Sequence, residues 1–142
     1  MKSLQSLPSA SIILLLLFSF VRCSKHTSEG ISDTGQVLVK NIWTVDYYFH
    51  DQDMTEDYTN SRLLFSSTGA VGFQKNGETT AGTWTQNFDT LHNQWISLHF
   101  NTNDSHIGEL NKSWRLTDQS SSSLQFEETD GATDVLFRLK TQ

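Results

Sequence analysis

Residues 63–84 read LLFSSTGAVGFQKNGETTAGTW, and the fold follows from their spacing. Leu63, Phe65, Val71 and Phe73 fall on alternate positions, the period of a strand with one buried face. Ser67-Thr68-Gly69 supplies a turn between the two halves. Asn76-Gly77 supplies the next, because both central residues of a type I′ hairpin turn need positive φ. Beyond it the apolar parity moves to even positions: Gly82, Trp84 and Phe88, then Ile96, Leu98 and Phe100, then Leu110, Trp114 and Leu116, then Leu124 and Phe126. It returns to odd positions at Val135, Phe137 and Leu139. Upstream, the odd positions Val37, Val39, Trp43, Val45, Tyr47 and Phe49 carry the apolar side chains of a first strand. The pattern predicts eight strands joined by Ser-, Asn-, Asp- and Gly-rich turns, with helical spacing confined to a short turn near residues 51–57. Eight one-faced antiparallel strands bury those faces by packing as two sheets or by closing into a barrel, and closure also removes exposed edges. The expected fold is all-β, an eight-stranded antiparallel up-and-down barrel following an N-terminal signal segment.

That segment is legible in the charges. The chain has 142 residues and a formal net charge of −6, and its first 22 residues contain only Lys2 and Arg22 as ionic groups. The apolar run Ile12 to Val21 has ten residues, about 15 Å of helix, half of what a bilayer core requires. It is a signal h-region by length. The remaining chain is strongly acidic, which excludes the basic surface that nucleic-acid binding needs. Cys23 is the only cysteine, so no intramolecular disulfide exists and stability must come from a core.

Phe20-Val21-Arg22-Cys23 resembles a bacterial lipoprotein signal. The resemblance implies that Cys23 becomes the lipidated first residue of a protein held in the bacterial cell envelope, at the outer membrane. Arg22 stands where such signals carry a small residue, so a conventional signal cut just after Cys23, giving a periplasmic or secreted protein, is the alternative. The expected organisation is a signal peptide over 1–22, a flexible tether over 23–36, which has one large apolar residue in Ile31, and a barrel domain over 37–142.

Within that domain, Trp43, the Ser-Thr-Gly turn between Leu63 and Val71, Gly82-Thr83-Trp84 and Leu110-Asn111-Lys112-Ser113-Trp114 resemble the bacterial lipocalin-like domains of the calycin group. The resemblance implies a lipocalin-like fold over the whole mature domain. Eleven of the fourteen aromatic residues beyond the signal segment take the inward parity, so a mostly filled interior is expected. Trp43, Tyr47, Phe65, Trp84, Phe100 and Trp114 are the candidate lining of a small apolar pocket, with indole N–H groups and the Tyr47 hydroxyl as orienting donors. The outward parity leaves Leu38, Ile42, Tyr48, Leu64, Trp95 and Leu136, of which Leu38, Ile42 and Leu136 are expected to form one patch where the first and last strands meet.

No motif for catalysis, a metal or a cofactor is present. The acidic cluster Asp51, Asp53, Glu56 and Asp57 lacks the Gly and Glu of an EF-hand loop, Glu56 and Arg62 standing in their places. The five histidines form no zinc-ligand spacing, and Glu127-Glu128, being adjacent, point to opposite faces. The expected function is therefore non-enzymatic: an envelope lipoprotein binding a small apolar ligand, or, alternatively, a structural or protein-interaction module of an envelope complex. The expected partners are the ligand or an envelope protein, and the membrane through the lipid anchor. Mass spectrometry of the membrane fraction should find a mature N-terminus at Cys23 carrying diacylglycerol; an unacylated N-terminus there would contradict the lipoprotein assignment.

Overall fold

The computed structural model describes residues 34–128 and 134–142. The signal segment, Cys23 and the tether as far as residue 33 lie outside them. The strands are β1 (Ile42–His50), a two-residue bridge β2 (Gln52–Asp53), β3 (Arg62–Phe65), β4 (Ala70–Lys75), β5 (Glu78–Phe88), β6 (Gln94–Phe100), β7 (Ser113–Gln119), β8 (Ser123–Glu128) and β9 (Val135–Thr141). Apart from β2, each pairs antiparallel with its sequence neighbour, and β9 pairs back to β1. The result is the expected closed, eight-stranded up-and-down barrel. Its tightest hairpin is the one foreseen at Asn76-Gly77, with φ of 53° and 83° and Lys75 opposite Glu78.

The inward parity holds along β3, β4, β6, β8 and β9, whose alternate residues, from Leu63 to Leu139, are buried. It fails in β1. The β1–β9 register slips between Val45 and Tyr47, so Asp46 is an extra residue, and one inserted residue exchanges the two faces of everything after it. Trp43 and Val45 point inward as expected, but beyond the bulge Tyr48 is the buried residue. Tyr47 is thereby corrected: it stands on the outer face, its ring 5.4 Å from the Arg138 guanidinium and stacked at 6.5 Å on Phe49, which also moves outward. Arg138 in turn donates from Nε to the bulged Asp46 at 2.6 Å. Phe88, expected inside, is 58% exposed at the end of β5.

The first strand also begins later than the alternation implies. Residues Thr34–Lys40 form a helix, α1, so Val37 and Val39 are helical and the last three residues assigned to the tether belong to structured chain. Over so short a stretch, period two and period 3.6 cannot be told apart. Thr34 and Leu38, one helical turn apart, face the barrel and are fully buried. Lys40 in the last turn complements the helix dipole, and Asn41 Nδ2 donates to the free Val37 carbonyl. With Leu38 buried beneath the helix, and Ile42 seven residues along β1 from the partner of Leu136, the expected three-residue surface patch does not form.

α1 closes the end of the barrel where β1, β6 and β8 begin. The other end is closed by a 3₁₀ turn, Thr55–Tyr58, and a short helix, α2 (Ser105–Gly108), whose N-cap Asp104 accepts from the amides of His106 and Ile107.

One position tests how tightly neighbouring strands approach. A Cβ on Gly82 would lie 2.5 Å from the His99 carbonyl oxygen and 2.6 Å from Phe100 Cδ1, whereas one on Gly72 would meet only Thr79 Cγ2 at 3.5 Å. Gly82→Ala should cost about 1–3 kcal/mol of stability in urea unfolding while Gly72→Ala stays within about 0.5 kcal/mol of the wild type. Equal effects would contradict the register.

Candidate functional site

The interior is the first place to look for a site, and it is packed with rings. Tyr48 lies 4.9 Å from Tyr58, 6.2 Å from Trp114 and 6.1 Å from Phe137, centroid to centroid. Phe137 continues to Phe126 at 5.9 Å, Tyr58 to Phe73 at 6.3 Å, and Phe73 to Phe100 at 6.3 Å. Phe65 and Trp84 meet edge to face at 5.5 Å. Most of these contacts are tilted or edge-to-face, the arrangement that ring quadrupoles favour. Of the six candidate lining residues, Trp43, Phe65, Trp84, Phe100 and Trp114 are buried inside the barrel as core, and Tyr47 is on the outer face.

The polar atoms of these rings are already used. Trp43 Nε1 donates to the Leu38 carbonyl of α1 at 3.0 Å, and Trp84 Nε1 to the Ser66 carbonyl at 2.9 Å. Trp114 Nε1 donates to the Leu110 carbonyl at 3.1 Å and the Tyr58 hydroxyl to the His106 carbonyl at 2.7 Å. The Tyr48 hydroxyl reaches the Glu109 carbonyl at 3.3 Å. Burial, reinforced by the charges of Tyr58 and Glu109, raises the Tyr48 hydroxyl's pKa far above its ordinary value and keeps it a donor. The rings thus fill the barrel and also hold its plugs. A buried apolar ligand is oriented by a few convergent polar groups, and here those groups are bound to the chain's own backbone.

The surface around the α2 end differs. Asn111 acts as a strand surrogate where β6 and β7 splay: its Oδ1 accepts from the Phe100 amide at 2.6 Å and its Nδ2 donates to the Phe100 carbonyl at 3.0 Å. Because β6 ends at Phe100, its pairing with β5 reaches only to Gly82. Residues 78–81 of β5 therefore run on beside β4 with no strand on their other side. Trp84 N donates to Gly69 O on the β4 side, so even residues of this stretch face β4 and the backbone groups of Thr79 and Ala81 face away. They open onto a groove walled by Asn101, Thr102 and Asn103. The groove deepens into a cleft of about 350 Å³ lined among others by Asp57, Lys75, Glu78, Asp104 and His106, with Phe73 at its apolar side. Lys75 Nζ donates to the Asp57 carbonyl, and His106 Nδ1 lies 3.4 Å from the Asp57 carboxylate.

Beside it runs a second polar chain: His50 Nδ1 lies 2.9 Å from Glu109 Oε2, Lys112 Nζ 3.8 Å from the same oxygen and 2.7 Å from Glu128. The residues of both groups come from separate segments of the chain and carry no motif; only the barrel topology brings those segments to one end. Among the described residues no three His, Cys, Asp or Glu side chains gather as a metal site. Asp53 accepts from the Thr55 amide, a turn-forming role.

No protein-family model matches the chain, and no curated protein matches it in sequence. Its fold is similar to that of a DUF4847 family protein from Bacteroides vulgatus known from a crystal structure, with a TM-score of 0.57 at 12% identity, over 77% of this chain and 97% of the other. At that identity the likeness is one of architecture.

If the interior is core, space must be made before anything enters it. Phe137→Ala should cost about 3–5 kcal/mol and leave a dry apolar cavity. Saturating benzene should then raise the melting temperature of Phe137→Ala and leave that of the wild type unchanged; a rise in the wild type would show a pre-existing pocket.

Proposed function

We propose that the chain is a non-enzymatic, lipocalin-like barrel of the bacterial envelope, held to a membrane through lipid on Cys23, and that it works as a protein-interaction module. The observation carrying this reading is the open β5 edge at residues 78–81, where the outward backbone groups of Thr79 and Ala81 face a groove walled by Asn101, Thr102 and Asn103. A free edge of N–H and C=O groups accepts an extended segment as an added strand, with backbone hydrogen bonds giving affinity and flanking side chains giving selectivity. Asp57, Glu78 and Asp104 outnumber Lys75 there, and Lys75 is engaged with the Asp57 backbone. The groove therefore favours a basic segment.

Carriage of a small apolar ligand, the other reading of a lipocalin-like barrel, finds less support: the rings that would line a pocket fill the interior and bond to the plugs. The lipid attachment rests on Cys23 and the segment before it.

A synthetic extended hexapeptide of alternating Lys and Val tests the edge. Its addition should shift the amide resonances of Thr79 and Ala81 and slow their hydrogen exchange, leaving Thr80, which bonds to β4, unchanged. Glu78→Lys should weaken the effect about tenfold at low salt, and added salt should weaken it in the wild type. Unmoved Thr79 and Ala81 amides at millimolar peptide would reject the edge as the contact.

A further inference from the structure

Three large apolar side chains are well exposed among the described residues: Ile42 at 42%, Phe88 at 58% and Leu91 at 79%. All three lie at the α1 end of the barrel. Ile42 opens β1 immediately after α1, Phe88 closes β5, and Leu91 belongs to the turn between β5 and β6. Thr34, the first described residue, donates from its amide and hydroxyl to the Gln94 side chain at the start of β6, directly beyond that turn. The point where the N-terminal segment joins the domain therefore abuts the turn bearing Phe88 and Leu91.

The turn is built to hold its shape. Asp89 Oδ1 accepts from the amides of Leu91 and Asn93 at 2.8 and 2.9 Å, and Oδ2 accepts from Asn93 Nδ2 at 2.7 Å and Trp95 Nε1 at 3.3 Å. The Asn93 side-chain bond, with the others, holds the Asp89 carboxyl down to about 2. His92 takes a left-handed φ of 64° to complete it. A fixed turn that displays Leu91 to water has an apolar residue with nowhere in the domain to fold back.

We infer that the α1 end is a membrane-facing surface, with Phe88 and Leu91 seated in the interfacial layer of a phospholipid bilayer. This rests on the lipid attachment proposed above. Ten residues lie between Cys23 and Thr34, so an acylated Cys23 keeps this end within eleven residue steps, about 36 Å, of the bilayer whatever path the chain takes. Lipid on Cys23 holds the chain at the bilayer without orienting the domain, and a second apolar contact on the same side converts a tether into a defined orientation. Lys40 and Lys140 flank the same end and suit anionic headgroups, while the acidic group of the turn, Asp89, has its carboxylate oxygens bound by donors of Leu91, Asn93 and Trp95. The peptide groove then faces away from the membrane, since the β4–β5 turn and α2 are at the opposite end.

The lone cysteine makes the test direct, because lipidation consumes it and a second cysteine takes a nitroxide label alone. Full-length protein bearing Phe88→Cys, Leu91→Cys or Glu78→Cys is purified from membranes, labelled and reconstituted into vesicles of phosphatidylethanolamine and phosphatidylglycerol. Labels at 88 and 91 should become accessible to oxygen and shielded from a water-soluble nickel chelate, their accessibility ratio rising about tenfold over that at 78. Labels at 88 and 91 that stay as open to the chelate as the label at 78 would overturn the inference. So would spin–spin broadening at 91 in a solution dimer, which would make a second copy the occupant. Vesicle flotation reports the anchor separately. If the wild-type chain does not float, the lipid attachment fails, and the labelled protein added to preformed vesicles still decides whether position 91 enters the bilayer or stays in water.

Discussion

Closure of β9 onto β1, from Thr141 opposite Trp43 to Val135 opposite His50, is the constraint on which the other features depend. A strongly acidic domain without disulfides has only its core to hold it, and an open sheet of eight strands would leave two long edges and one apolar face unpaired. Closing the ring removes both problems and sets the interior volume. The aromatic residues then fill that volume, about 1.5–3 kcal/mol for each large side chain fully buried. Because their N–H and O–H groups must also be satisfied when buried, the ends of the barrel are drawn in as acceptors: α1 by Trp43, and the α2 end by Trp114, Tyr58 and Tyr48.

Filling and plugging are therefore one event. The carbonyls that accept from the rings belong to segments that cover the mouths, so a ligand inside would have to displace both side chains and plugs. What remains available is outside: an acidic groove beside the free stretch of β5 at one end, and an apolar rim at the other. The proposed partner at the first and the proposed bilayer contact at the second would occupy opposite ends of the barrel, and neither requires a cavity.

The strands and turns were legible in the sequence because alternation survives wherever a strand is regular. Ile96-Ser97-Leu98-His99-Phe100 and Val135 to Leu139 point inward and outward as read, and Asn76-Gly77 makes the turn its φ preferences demand. The faces of β1 past Asp46 were not legible. A bulge adds one residue without altering composition, so Tyr47 and Tyr48 exchange places with no local signal. α1 escaped for another reason: its two valines alternate as a strand's would, and its helical character comes from docking Leu38 and Thr34 onto the barrel. The groove was hidden because its parts meet only after β4, β5 and the α2 loop have been brought to one end. A longer β5 than β6 was the one trace of the free edge, visible only once register is known.

The central claim is that the barrel is a filled scaffold whose work is done at its surface. Native mass spectrometry of protein purified under non-denaturing conditions from its natural source tests it most directly. The account predicts the mass of the mature chain with no stoichiometric non-covalent small molecule attached. An apolar compound retained at one per chain and released only when the barrel unfolds would contradict it.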